Sequence, residues 1–189
     1  MDKYFGEKEF FPFQKSILQG RSVRDFENQY GGINWCLRSP AEKGFVPDRE
    51  RKLRLLHAVK GNLLICDLSG TADSPAERED NWRLLWDMDR VIAVLDPLPS
   101  KMLASAEILS RLRGSFLPVE YVINRWNTGV DKREALSFFQ LRDPVILPAL
   151  DAADIYAAEY GCRSVWSCPS VRRKTEKPMT LLCRRLGLF

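Results

Sequence analysis

The sequence predicts an α/β fold of three layers, in which helices cover both faces of a doubly wound, mostly parallel sheet. Two observations predict it. Short apolar runs, of the kind that form strands buried on both faces, recur along the chain. Amphipathic stretches of about 10 to 15 residues separate these runs and have the spacing of helices. Alternating strands and helices form βαβ units, so the sheet is expected to be parallel.

The elements follow from periodicity and from stop signals. The predicted strands cover residues 32–38, 62–67, 90–96, 119–125 and 144–149. The predicted helices cover residues 47–61, 74–88, 100–114, 151–161 and 177–187, and a short helix follows Asp131. The start of the second helix is well marked, because Ser74 can cap it, Pro75 suits its first position and Glu77 completes a capping box.

The composition indicates a cytoplasmic protein with one domain over residues 1–189. The chain of 189 residues can bury a sizeable core. No apolar run approaches the roughly 20 residues that span a bilayer, and the first residues do not form a signal peptide. Five cysteines, an odd number, predict reduced thiols rather than a disulfide framework. Cys162 and Cys168 could pair or bind a metal, but with one histidine and no CxxC motif a zinc site is not expected.

The positive charge is concentrated in a basic C-terminal segment, residues 161–189, of the same domain. This segment holds seven basic residues and one acidic residue, whereas residues 1–160 hold 22 basic and 24 acidic residues. Such a segment can contact an anionic partner, and it can equally be the solvated side of a loop and a helix.

Polar residues at the strand ends are the candidate site residues, because ligands of parallel sheets bind beyond the carboxyl ends of the strands. They are Asp67, Asp96, Asn124 and the turn after Pro148. Asp67 follows an apolar run and precedes Gly70 by three positions, which suits an acid on the metal side of a nucleotide site. The alternative is that Asp67 only caps a loop and Asn124 only holds a turn.

Read in order, these strand ends resemble the MinD/ParA family of deviant P-loop ATPases, especially its CpaE-like branch, which localises tight-adherence pili. The resemblance covers nearly the whole chain. The order and spacing of the motifs carry more weight than any single motif. The stretch "LLICDLSG" resembles the family's Walker B strand and switch II. The stretch "VEYVINRW" resembles its adenine-contacting strand, and "VILPALDAADIYAAEYGC" resembles its later proline-containing strand and helix.

The resemblance implies ATP and Mg²⁺ as ligands and the fold of the SIMIBI class of P-loop NTPases. Asp67 would hold Mg²⁺ through water, and Gly70 would let the backbone approach the γ-phosphate. Asn124 would pair with the adenine edge and Arg125 would stack on the base. Asp151 matches the adenine-side acid, although it lies one residue further from Pro148 than the family spacing.

One departure from the family bears on activity. Neither GxxxxGK[ST] nor the lysine-rich deviant form of the Walker A loop occurs in the sequence. That loop cradles the phosphates, and phosphoryl transfer depends on such positioning. The chain is therefore expected to begin after the Walker A strand, as a truncated or degenerate member. No catalytic residue is assigned, and little or no hydrolysis is expected.

The role that the resemblance implies is positional: organising a pilus, secretion or division apparatus as a homodimer or with a protein partner. A membrane surface is a further candidate partner, with peripheral attachment at its inner face, and DNA is not expected. A non-catalytic interaction module that dimerises or docks to a partner is the alternative. A receiver-like domain would need a conspicuous lysine at a strand end, and none is present.

Overall fold

The structure is a computed structural model that describes residues 17–22, 28–30, 32–35, 47–59, 63–68 and 74–188. Contacts within the chain divide it into two compact units, residues 1–87 and residues 88–189. The single domain over residues 1–189 stays a prediction.

The first unit contains a short antiparallel hairpin of β1 (Asn28–Tyr30) and β2 (Ile33–Trp35). Gly32 lies in a turn just before β2 and has a φ of 78°, which glycine adopts without strain. Strand β2 lies within the predicted strand 32–38, whereas its antiparallel partner β1 is not among the predicted strands. The signal that predicts a hairpin is the Gly-Gly pair between two β-prone segments. Residues 36–38 lie outside the described part of the chain.

Two helices follow, α1 (Arg49–Ala58) and α2 (Pro75–Leu84), and a 3-10 turn at Leu85–Asp87 continues the second. They confirm the helices predicted over 47–61 and 74–88, with shorter bounds. The Ser74 hydroxyl accepts a hydrogen bond from the Glu77 N–H at 3.1 Å, as the capping motif predicts. The two helices are joined by the Lys52 ammonium, which donates to the Asn81 side-chain oxygen at 2.7 Å.

The strand predicted over residues 62–67 is wrong for residues 63–68, which form no regular secondary structure. Leu63, Leu64 and Ile65 are exposed instead of buried. The physical reason is pairing: a strand requires a neighbour for its backbone N–H and C=O groups, and none of the described residues pairs with this segment. Asn62 and Gly61 lie outside the described residues.

The second unit is built on a parallel sheet of β3 (Val91–Leu95), β4 (Val119–Trp126) and β5 (Val145–Pro148), in that order. Leu95 pairs with Ile123, and Ile123 pairs with Ile146. The strands confirm the predictions over 90–96, 119–125 and 144–149 within two residues at each end. They also confirm the predicted α/β class with a parallel sheet.

Helices cover both faces of this sheet. The face that carries Leu95 and Ile123 packs against α3 (Pro99–Arg113) and α4 (Lys132–Phe139), with Phe139 fully buried. Because neighbouring residues of a strand point to opposite faces, Val122 lies on the other side. There it packs with Val145 and with Leu182 of the last helix. The remaining helix of the unit, α5 (Ala152–Tyr160), contacts the 3-10 turn Val165–Ser167.

The last helix, α6 (Pro169–Arg185), is longer than predicted. Its expected start near residue 177 is wrong, because Pro178 lies inside the helix, whereas proline usually occupies a first turn. Pro169 occupies the first turn instead. Met179, Leu182 and Leu186 pack against the sheet, so the apolar side of this basic segment belongs to the core. Within the described residues, no helix combines the length and apolar character that crossing a bilayer requires.

Candidate functional site

The candidate site lies where the three parallel strands of the second unit end. Asp96 directly follows β3, and Asn124 and Arg125 are the two residues before the last residue of β4. Asp151 comes three residues after the end of β5. Parallel strands bring their carboxyl ends to one edge of the sheet. The structure therefore places these predicted strand-end residues on the same edge.

A β-bulge interrupts this edge at Arg125. Ile123 pairs with Ile146 and Trp126 pairs with Pro148, so β4 uses one residue more than β5 between the two pairs. Arg125 has a φ of 61°, in the left-handed region that residues with a side chain seldom occupy. Its N–H donates to the Asn124 side-chain oxygen at 2.8 Å. A bulge changes the direction in which a strand residue points its side chain, and bulges are common beside functional sites.

The side chain of Arg125 is directed to the end of the neighbouring strand. Its guanidinium donates to Asp96 Oδ2 at 3.2 Å, and the Leu98 N–H donates to Asp96 Oδ1 at 3.0 Å. Both carboxylate oxygens of Asp96 are thus engaged. The Arg125 side chain is 73% exposed and the Asp96 side chain 26% exposed, so the acid is the sheltered partner. Asp96 is among the residues predicted at strand ends, but the sequence predicts no role for it.

Among the described residues, the side-chain amide of Asn124 makes a hydrogen bond through its oxygen alone. Its oxygen accepts from the Arg125 N–H, while no described residue accepts a hydrogen bond from its amide nitrogen. The residue is half-buried. An asparagine amide offers two donors and an acceptor with two lone pairs, so Asn124 keeps capacity to recognise a group with both donor and acceptor atoms.

Asp151 is tied to the last helix. Its carboxylate accepts from the Lys174 ammonium at 2.6 Å, and Asp154, one turn on, accepts from the Ser170 hydroxyl at 2.8 Å. Asp151 occupies the position before the first residue of α5, but its side chain makes no capping hydrogen bond. These contacts anchor the start of α5 to α6. The adenine-side role of Asp151 stays a prediction.

Asp67 belongs to the first unit and is exposed in the segment 63–68, and Gly70 lies outside the described residues. The pKa of the neighbouring Cys66 thiol is raised by desolvation and further by the Asp67 carboxylate, while the Lys52 ammonium lowers it. The roles predicted for Asp67 and Gly70 stay predictions. Among the described residues, no three His, Cys, Asp or Glu side chains are grouped to hold a metal ion.

A separate surface groove of about 250 Å³ runs along α6 beside Trp166. No strand-end residue lines it; the lining residues are Trp166, Arg172, Thr175, Glu176, Met179, Thr180 and Cys183. The groove therefore does not extend the candidate site.

Neither a protein-family model nor a curated protein matches the chain. Among solved structures, it is similar to the crystal structure of a ParA family ATPase from Chlorobium tepidum TLS, with a TM-score of 0.65. The two sequences are 13% identical, and the match covers 94% of this chain and 76% of that chain. At this identity the likeness bears on the fold alone. The chain has an α/β fold similar to that of a ParA family ATPase, as the resemblance of its strand ends predicts.

Proposed function

We propose that this chain is a MinD/ParA-like domain of the CpaE type that binds an adenine nucleotide. Its role is to position a pilus, secretion or division apparatus, through a homodimer or a protein partner. The observation that carries the proposal is the bulged edge of the parallel sheet, where no described residue accepts a hydrogen bond from the Asn124 amide nitrogen and the Arg125 side chain is exposed. The ParA-like fold and the order of the sequence motifs support it.

The strand-end residues fit a purine base. The Asn124 amide nitrogen can donate to a ring nitrogen of adenine, and the second lone pair of its oxygen can accept from the exocyclic amine. The planar guanidinium of Arg125 can stack on the ring. The loop after Pro148 is held next to β4, because the Ala149 N–H donates to the Trp126 carbonyl at 2.7 Å. We therefore propose that Asn124, Arg125 and this loop contact the base. Asp151 lies at the far end of the loop.

The phosphate side of the proposal rests on the resemblance. Mg²⁺ keeps most of its hydration shell and needs few protein ligands, so a single exposed carboxylate such as Asp67 suits it through water. Gly70 would lie beside the γ-phosphate. ATP is expected to bind weakly, because the sequence lacks the Walker A loop that supplies phosphate contacts.

Calorimetry with ADP and Mg²⁺ tests the proposal. We expect wild type to bind with a Kd on the order of a millimolar, and Asn124→Ala to bind about fivefold more weakly, since one hydrogen-bonding side chain is lost. Asn81→Ala is the matched control, because Asn81 contacts Lys52 in the other unit. Equal binding by wild type and Asn124→Ala would remove Asn124 from the site, and no binding by wild type would refute the nucleotide proposal.

Hydrolysis by this polypeptide is expected to stay at background. The measurement is phosphate release from ATP with Mg²⁺, compared between wild type and Asp67→Ala. Turnover that requires Mg²⁺ and that Asp67→Ala abolishes would contradict the expectation, because some other loop would then replace the missing phosphate cradle.

The second candidate function, a non-catalytic interaction module, is favoured by the surface of β3. Among the described residues β3 pairs with β4 alone, and its Ile92 and Val94 are 42% and 63% exposed. An apolar edge strand without a charge or proline is suited to pairing with another chain. Light scattering after gel filtration separates the two candidates. Self-association without nucleotide that Val94→Lys abolishes would favour the module, whereas association only with nucleotide would favour the first proposal.

A further inference from the structure

The bulge on β4 and the turn after β3 together fix an ion pair at the candidate site. Arg125, whose backbone takes the left-handed conformation, donates through its guanidinium to one oxygen of Asp96, and the Leu98 N–H donates to the other oxygen. Asn127 adds to this arrangement, since its side-chain nitrogen donates to the Arg125 carbonyl at 3.3 Å. Arg125 thus makes one hydrogen bond through its backbone carbonyl and another through its guanidinium.

This pair has no net charge, and its negative member is the less exposed one. A phosphate that approached the Arg125 guanidinium would also approach the Asp96 carboxylate, which repels it. A neutral planar ring could stack on the guanidinium without meeting that repulsion. The same arginine without Asp96 would attract anions, because arginine binds phosphate well through paired hydrogen bonds.

We propose that Asp96 is a specificity-determining residue, which directs Arg125 toward the base of a nucleotide and disfavours a phosphate at this edge. The inference rests on the proposed nucleotide binding and assigns Asp96 a role in that site. It predicts that a phosphate adds little to affinity at Arg125 while Asp96 is present.

The test compares adenosine with AMP as ligands of wild type, Asp96→Asn and Asp96→Glu, by protein NMR titration at low ionic strength. Asp96→Asn removes the charge but keeps an oxygen that can accept from the Leu98 N–H, so the turn should persist. We expect wild type to bind AMP no more tightly than adenosine. Asp96→Asn should prefer AMP by roughly three- to tenfold, and Asp96→Glu, which keeps the charge, should behave like wild type. The gained preference should shrink at about 0.5 M salt, where charges on exposed groups are screened.

Each result decides between the two proposals. An unchanged ratio of AMP to adenosine affinity in Asp96→Asn, or a strong preference of wild type for AMP, would overturn the role of Asp96 and leave the nucleotide site standing. No binding of either ligand by wild type would overturn the proposed function, and the role of Asp96 with it. Urea midpoints of the three proteins control for folding.

Discussion

Ile123 and Ile65 are isoleucines in similar apolar runs, yet their surroundings are opposite. Ile123, on the middle strand of the second unit, is 0% exposed, and Ile65, in the first unit, is 79% exposed. The run around Ile123 has strands on both sides and helices over both faces. The run around Ile65 pairs with no described residue. Apolar character makes a segment suitable for a strand, but neighbours on both edges and a covering layer make it one.

Matched substitutions at these two positions test the difference between the two runs. Ile123→Ala should lower the free energy of unfolding by about 2–5 kcal/mol, because it leaves a cavity between the sheet and α3. Ile65→Ala should change it by less than about 0.5 kcal/mol, as exposed substitutions usually do. Urea unfolding followed by tryptophan fluorescence and circular dichroism measures both. A large loss from Ile65→Ala would mean that residues 63–68 are packed in solution, and the contrast between the two runs would fail.

The sequence predicts the second unit well because its signals act locally and agree with one another. The strands there are apolar and bounded by turns, and the helix cap at Asp131 is a short-range hydrogen bond that residue type alone indicates. The prediction fails where tertiary structure decides. Pro178 suggests a helix start but lies inside α6, whose packing on the sheet outweighs the local cost of proline.

The candidate site is only partly predictable for the same reason. The structure confirms that Asn124 and Arg125 lie near the end of a strand, and their role in a site stays a prediction. The contact between Arg125 and Asp96 depends on a bulge at which no glycine marks the left-handed residue. The nearest sequence signal is that an acid and a base end two successive strands, since successive parallel strands are often neighbours.

The outer side of α6 belongs to the basic segment of the second unit and carries both paired and unpaired charges among the described residues. Lys174 pairs with Asp151, and Arg185 pairs with Asp143 and Glu120. No described residue pairs with the three basic residues on the face opposite Val171 and Leu182, which are Arg173, Lys177 and Arg184. With the apolar side of the helix in the core, any attachment to a membrane would be electrostatic.

We expect weak sedimentation of the protein with anionic vesicles at low salt, to which each of these three charges contributes about 1 kcal/mol. Replacing all three by glutamine should abolish it, and Lys174→Gln, which removes a paired charge, should change it little. About 0.5 M salt should release the protein. If wild type stays in the supernatant with anionic lipid at low salt, the three charges are only a solvated face.

The alkylation rate of Cys66 measures how accessible residues 63–68 are, and we expect only small changes in it. Cys66 is exposed, so alkylating reagents should reach it. The thiolate is the reactive form. Because the Asp67 carboxylate raises the thiol pKa, Asp67→Asn should lower it and speed alkylation at pH 8 by about twofold. Because the Lys52 ammonium lowers the pKa, Lys52→Gln should slow alkylation by a similar factor.

The rates are measured by iodoacetamide labelling and mass spectrometry of each cysteine, with Cys162 of the second unit as the internal reference. A faster alkylation rate in Asp67→Asn and a slower one in Lys52→Gln would show that Asp67 and Lys52 lie near Cys66, as in the structure. Equal rates in all three proteins would contradict that arrangement. Protection of Cys66 in every folded protein would go further, because it would mean that residues 63–68 are buried as the sequence predicts for a strand. The contrast between the two isoleucines would then disappear, and Asp67 would lie at a strand end, as the sequence predicts.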